Sequence, residues 1–145
     1  MAKDISFVMP VLNEEQYLEA AVKSVFDQDV PGEMELVLAL GPSSDSTNDV
    51  AKKLKRKYGV KLQLVSVPRA NTSTQLNAAI EKSKYSVVVR VDAHSELSSG
   101  YAATGLEVLN ATGAANVGGV MKAVGESDFQ SAVAYGYNNK VGLGG

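Results

Sequence analysis

Cysteine is missing from this chain, and histidine occurs only once. Without cysteine there is no disulfide, no thiolate metal site and no cysteine nucleophile, a composition that fits a reducing compartment. Long apolar runs are missing too: none approaches the ~18 residues of a membrane span, and Met1-Ala2-Lys3-Asp4 lacks the apolar stretch of a signal peptide. A cytoplasmic location is therefore expected. Neither sign of charge prevails, because 14 basic residues stand against 16 acidic ones for a net charge of −2. General attraction to nucleic acid or to anionic lipid is thereby excluded. Several glycine signatures are absent as well. No Gly-x-Gly-x-x-Gly follows the first strand, which argues against a dinucleotide site, and no Gly-x-x-x-x-Gly-Lys-Ser/Thr marks a P-loop. With one histidine and no Gly-x-Ser-x-Gly elbow, a Ser-His-Asp hydrolase has little support.

What is present describes one globular domain. The chain has 145 residues and 45% hydrophobic content, enough for a core of useful size. Its one basic cluster, Lys52-Lys53-Leu54-Lys55-Arg56-Lys57, has a helical phase and reads as a solvated helix face. Taken in order, the pattern is strand then helix, four times over. Ile5 to Leu12 is the first strand, and Asn13 is placed to cap a helix carrying Leu18, Ala21, Val22, Val25 and Phe26. Glu35 to Leu40 is the second strand; the loop Gly41-Pro42-Ser43-Ser44-Asp45-Ser46-Thr47 leads to a helix with Val50, Ala51, Leu54 and Tyr58 on one face. Lys61 to Val67 is the third strand, followed by a helix with Leu76, Ala79 and Ile80 inward. Tyr85 to Val91 is expected as a central strand. Such alternation predicts an open, mainly parallel sheet of Rossmann-like βαβ units. Beyond it the sequence predicts a helix from about Ser99 to Thr112, a strand over Asn116 to Lys122, and a helix around Phe129 to Tyr137.

Val87-Val88-Val89-Arg90-Val91-Asp92-Ala93-His94 is the stretch with the most chemistry. A β-branched run of this kind suits a strand buried on both faces, and it ends with a carboxylate and the sole imidazole at alternate positions. Ligands of open α/β sheets collect at the carboxyl ends of strands, where Asp92 and His94 would emerge and converge on a divalent cation. The plainer alternative is that a strand-end histidine bonds a carboxylate or meets solvent. The other loops at that sheet edge offer Asn13, Glu14, Asp45, Arg69, Asn71 and Asn77, a set suited to a ligand with a sugar, a base and metal-bound phosphates. Taken singly, Asn13, Ser46 and Asn71 are better read as helix caps.

These pieces resemble the inverting family 2 glycosyltransferases of the GT-A fold. The match rests on Val8-Met9-Pro10-Val11-Leu12-Asn13-Glu14, Ser44-Asp45-Ser46-Thr47, Leu76-Asn77-Ala78-Ala79-Ile80 and Val91-Asp92-Ala93-His94, in the family's order. Arg90 to His94 followed by Asn116-Val117-Gly118-Gly119 looks most like the subgroup of succinoglycan-type exopolysaccharide synthesis. The resemblance implies a nucleotide-sugar donor, most often a UDP-sugar, with Pro10, Asn13 and Glu14 lining the nucleoside pocket and Asp45 near it. It implies a saccharide or lipid-linked acceptor. Asp92 matches the first position of the family's Asp-x-Asp motif and His94 the last, so the pair would hold Mn²⁺ or Mg²⁺. An imidazole in place of a carboxylate shifts the expectation toward Mn²⁺.

Two departures qualify the implied activity. Leu40-Gly41 stands where many relatives carry an acidic pair, which leaves the nucleotide base open. The family's acceptor half, with the carboxylate that serves as general base, lies downstream of the matched region. The expectation is thus a donor-binding domain over 1–140, with a flexible Gly-rich end or truncation point at 141–145. Any route to the inner membrane face would be through a further C-terminal part. The alternatives are a non-catalytic nucleotide-binding module and an oligomerisation domain, the latter as a homo-oligomer covering an open sheet edge.

Overall fold

The structure is a computed structural model and describes residues 1–69 and 71–139. The expected boundary at 140 and the Gly-rich end 141–145 lie outside the described residues. The elements are β1 (Ile5–Val11), α1 (Leu18–Phe26), β2 (Met34–Leu40), α2 (Thr47–Tyr58), β3 (Leu62–Ser66), α3 (Thr72–Lys82), β4 (Val87–Arg90), α4 (Tyr101–Thr112) and α5 (Asp128–Asn138). The sheet has four strands in the order β3-β2-β1-β4. All pairings are parallel, running from Ile5 opposite Met34 to Val11 opposite Leu40, from Leu36 opposite Leu62 to Leu40 opposite Ser66, and from Ile5 opposite Val87 to Val8 opposite Arg90.

Alternation along the strands separates two cores. Ile5, Phe7, Met9 and Val11 join Leu36, Leu38 and Leu40 on one face, where Leu18, Ala21, Val22 and Val25 of α1 and Ala51 and Leu54 of α2 cover them. Val8, Val37 and Ala39 point the other way and meet Ala79 of α3. Helices on both faces bury β1 along its whole length apart from Pro10, which is half-buried. The helical stripe read from the sequence in α2 holds, and Phe26 of α1 stacks on Tyr58 with ring centroids 4.0 Å apart. Lys52, Lys53, Arg56 and Lys57 lie exposed on the opposite face of α2, the solvated face expected for the basic cluster.

The sheet is fastened at its amino end by a buried carboxylate. Glu35, 2% exposed, accepts from Ser6 Oγ at 2.7 Å, Gln63 Nε2 at 2.7 Å and the Lys84 amide at 2.6 Å. Ser6 Oγ in turn accepts from the Tyr85 amide at 3.0 Å. One side chain therefore joins β1, β2, β3 and the turn into β4. Burial pushes the Glu35 pKa upward, but these donors prevail and hold it below the ordinary carboxylate value.

Several expectations are corrected. β4 is an edge strand, not a central one, and alternates between half-buried and exposed residues; Val88 is 37% exposed. It gains helical cover on one face only, so its β-branched run reports strand propensity and not two-sided burial. Asn116 to Lys122 forms no strand. Ile80 is 47% exposed, because α3 turns Gln75 and Ala79 to the sheet and puts Ile80 at the rim. Asn13 does not cap α1, whose N-cap position is Tyr17; it stands ahead of the helix with a φ of 54°. Asparagine is among the residues that tolerate this left-handed geometry.

Candidate functional site at the carboxyl edge of the sheet

The strand order creates the site. From β1 the chain moves to β2 and β3 on one side, then returns to place β4 on the other, so the strand order reverses between β1 and β4. Such a reversal opens a crevice at the carboxyl ends of the two strands. Pro10 sharpens it. The Val91 amide bonds the Val8 carbonyl and the Gly41 amide bonds that of Val11, so even-numbered residues of β1 face β4. Pro10 shares that direction and has no N–H to offer, and pairing with β4 ends at Val8 opposite Arg90.

Into this crevice the ends of β1, β2 and β4 send side chains that meet. Asn13 Oδ1 accepts from the Ser44 amide at 2.8 Å, and the Asn13 backbone amide donates to Ser43 Oγ at 3.0 Å. The Glu14 amide donates to Thr47 Oγ1 at 2.8 Å, the Glu15 amide to Asp45 Oδ2 at 3.3 Å, and the Ser46 amide to Glu15 Oε2 at 2.8 Å. Asp45 also accepts from the Thr47 amide at 3.0 Å. Bonding to Thr47 first, with that from Glu15, lowers the Asp45 pKa. Across the crevice, His94 Nδ1 lies 2.9 Å from Glu14 Oε1. The plainer alternative for a strand-end histidine, a carboxylate partner, is thus realised. Two residues earlier, Asp92 Oδ1 accepts from Arg90 Nε at 3.0 Å. A turn closed by the Ser95 amide on the Asp92 carbonyl at 2.9 Å sets Asp92 and His94 on one short arc.

Other expected residues stay apart. Asn71 caps α3, its side-chain oxygen accepting from the Thr74 amide at 3.1 Å, and Asn77 is exposed on the same helix. Arg69 is exposed in the loop before α3. Neither Asn71, Asn77 nor Arg69 bonds the Asn13, Glu14, Asp45 or His94 side chains among the described residues. Ser46 occupies the N-cap position of α2 without a side-chain capping bond.

Sequence reasoning missed Glu15, Ser43, Thr47 and Gln75. Gln75, 2% exposed, donates from Nε2 to the carbonyls of Val11 and Ala39, both at 2.8 Å, and so pins α3 under the ends of β1 and β2. Its signal was a polar residue in the inward stripe of a helix. Among the described residues no group of three or more His, Asp or Glu side chains converges as a ready metal cage. A groove of about 680 Å³ lies elsewhere, along the free edge of β4 against α4 and residues 114–119.

The family 2 glycosyl transferase model matches residues 6–142. This chain belongs to glycosyltransferase family 2. The family 2 chain is 32% identical to the succinoglycan biosynthesis protein ExoA of Rhizobium meliloti over 95% of its own length and 42% of that protein's. It spans less than half of this relative. Among solved structures, S. aureus TarS superposes with a TM-score of 0.67 at 18% identity, covering 86% of this chain and 40% of that one. TarS has been solved with UDP and with UDP-GlcNAc. The mannosyltransferase PcManGT of Pyrobaculum calidifontis, in complex with GDP-Man and Mn²⁺, also gives a TM-score of 0.67, at 23% identity over 72% of this chain and 32% of that one. The parallel four-stranded sheet with helices on both faces is the GT-A arrangement expected from the sequence.

Proposed function

We propose that the crevice binds a nucleotide-diphosphate sugar, a UDP-sugar in the first instance, for transfer to a saccharide or lipid-linked acceptor in polysaccharide synthesis. The observation that carries this reading is the meeting of Glu14 and His94 across the β1–β4 switch point, with Asp92 beside them. Family membership supports it, and so do the donors held by TarS and PcManGT.

The residues present fit a divalent cation bound jointly with its ligand. Mg²⁺ in particular is ordinarily held by one or two protein groups plus substrate phosphates, not by an all-protein cage. Asp92 and His94 are such a pair. Glu14, engaging Nδ1, fixes the imidazole's orientation and leaves Nε2 as the coordinating nitrogen. Arg90, on one oxygen of Asp92, contributes positive charge beside the expected diphosphate. A cation bound there neutralises the charge that builds on the departing nucleoside diphosphate. Pro10 at the end of β1, with Asn13 and Asp45 in the loops after β1 and β2, takes the nucleoside in this reading. Inverting transfer by in-line displacement needs a base for the acceptor hydroxyl. Glu126 and Asp128 are exposed at the start of α5, where Ser127 and Gln130 form the capping box, and they are not assigned that role.

The single imidazole makes the test direct. In proton NMR, UDP with Mn²⁺ should broaden the His94 ring signals at concentrations where Mn²⁺ alone leaves them sharp. Ring signals that stay sharp with both present would contradict the metal assignment.

A further inference from the structure

The loop over residues 91–100, which carries Asp92 and His94, belongs to no ladder and no helix. Burial holds its first part: Val91 and Ala93 are 2% and 1% exposed. Its second part is held by two buried polar side chains of a different element. Ser24 on α1, 8% exposed, accepts from the Leu97 amide through Oγ at 3.0 Å while donating to the Ala21 carbonyl at 2.8 Å. Gln28, just past the end of α1 and 5% exposed, donates from Nε2 to the Ser98 carbonyl at 3.0 Å and to the Ser24 carbonyl at 3.2 Å. Its Oε1 accepts from the Ala102 amide at 3.1 Å.

Within α1, Ser24 Oγ donates to the Ala21 carbonyl and Gln28 Nε2 caps the Ser24 carbonyl of the last turn. Ser24 and Gln28 are one turn apart on the face that otherwise buries Ala21 and Val25, where an apolar side chain would pack without any polar desolvation. Their remaining bonds reach outward, to the Leu97 amide and the Ser98 carbonyl of the loop and to the Ala102 amide in the first turn of α4. We infer that Ser24 and Gln28 are positioning residues that hold the 92–98 arc in register and thereby set the affinity of Asp92 and His94 for the donor's cation. This rests on the donor-site reading above. Removing the ties frees the Leu97 amide, the Ser98 carbonyl and the Ala102 amide together. The arc then keeps the burial of Val91 and Ala93, the Asp92–Ser95 turn and the Arg90 and Glu14 contacts but loses its polar ties to α1, and displacements near an ångström suffice to degrade a coordination site.

The experiment compares the chain with Gln28→Met, Gln28→Glu and Ser24→Ala. Binding of Mn²⁺ in the presence of UDP is followed by electron paramagnetic resonance, and amide hydrogen exchange is read in parallel. Gln28→Met should weaken Mn²⁺ binding about tenfold or more, the usual scale for groups that orient metal ligands. Exchange at Leu97 and Ala102 should quicken while Phe7 and Leu38 in the sheet keep their protection. Gln28→Glu retains an acceptor for the Ala102 amide and loses the donor to Ser98, so it should fall between. Unchanged Mn²⁺ affinity in Gln28→Met with a protected sheet would overturn the inference. If Gln28→Met does not fold, equal affinity of Ser24→Ala and the parent chain does so instead. A parent chain that binds no Mn²⁺ with UDP overturns the donor-site reading itself, a result distinct from equal affinities.

Discussion

At the residue scale, the contact between His94 and Glu14 separates the contributions of the two candidate ligands. Asp92 sits at a strand end, partly exposed and outside both cores, and among the described residues its side chain pairs with Arg90 alone. An exposed pair of this kind contributes about 1 kcal/mol or less. Asp92→Ala should therefore abolish metal-dependent nucleotide binding and leave the melting profile within about 1 kcal/mol of the parent; retained binding would remove Asp92 from the site. His94→Asp adds a carboxylate beside Glu14 and should keep or strengthen Mg²⁺ binding, as calorimetry with Mg²⁺ and UDP would read. Strand alternation was the ground for expecting Asp92 and His94 to face one point, but both lie past the end of β4 in a turn, where Asp92 bonds Arg90 and His94 meets Glu14. Asn13 was misread as a cap because nothing local announces a left-handed φ of 54°. Glu14 as the histidine's partner was out of reach, since 80 positions of sequence separate the two.

At the element scale, α3 shows how a helix is fixed beneath the carboxyl ends of the strands. Asn71 caps its start, and Gln75 bridges two strand-end carbonyls. Gln75→Leu removes the Nε2 bonds to the Val11 and Ala39 carbonyls, of which Val11 keeps the Gly41 amide, so denaturant unfolding should show a loss of about 1–3 kcal/mol. Asn71→Ala should cost only about 1 kcal/mol, the ordinary worth of a cap, and should leave nucleotide binding intact if Asn71 lies outside the site. The helix itself was readable from its period, but its rotation was not. Placing Ile80 inside required ignoring Gln75, a polar residue whose burial makes sense only once the carbonyls it serves are known. The same limit applies to Asn116 to Lys122. Alternating β-branched residues state a capacity to pair, and pairing needs a neighbour that the sequence does not name. Strand β4 is the complementary case, a real strand whose position at the edge was invisible in its own residues.

At the scale of the whole molecule, the two ends of the sheet have different tasks. Loops at the carboxyl end are laced through amide donors to Asn13, Asp45 and Glu15, which keeps the crevice formed in the absence of ligand. The amino end is closed by Glu35, whose carboxylate draws β1, β2, β3 and the β4 entrance together. Because its folded pKa lies below its unfolded value, the stability Glu35 provides is fully present above the unfolded carboxylate pKa of 4.5 and is lost as pH falls through the lowered folded value. Thermal unfolding should accordingly give a melting temperature that falls on the acid side of that range. In Glu35→Gln the protein should be less stable near neutrality and lose part of this acid dependence, and an unaltered acid limb would show that other carboxylates dominate it. Repetition of strand and helix made this layered fold readable from the sequence, whereas the polar ties between its layers became visible only in three dimensions.

The account stands on donor binding at the β1–β4 crevice, and calorimetric titration of the chain with UDP and with GDP, each with and without Mn²⁺, tests it most directly. Saturable binding of UDP that requires Mn²⁺ and disappears in Asp92→Ala is the predicted result. Heat of binding that is absent for both nucleotides, or equal with and without the cation, would contradict it.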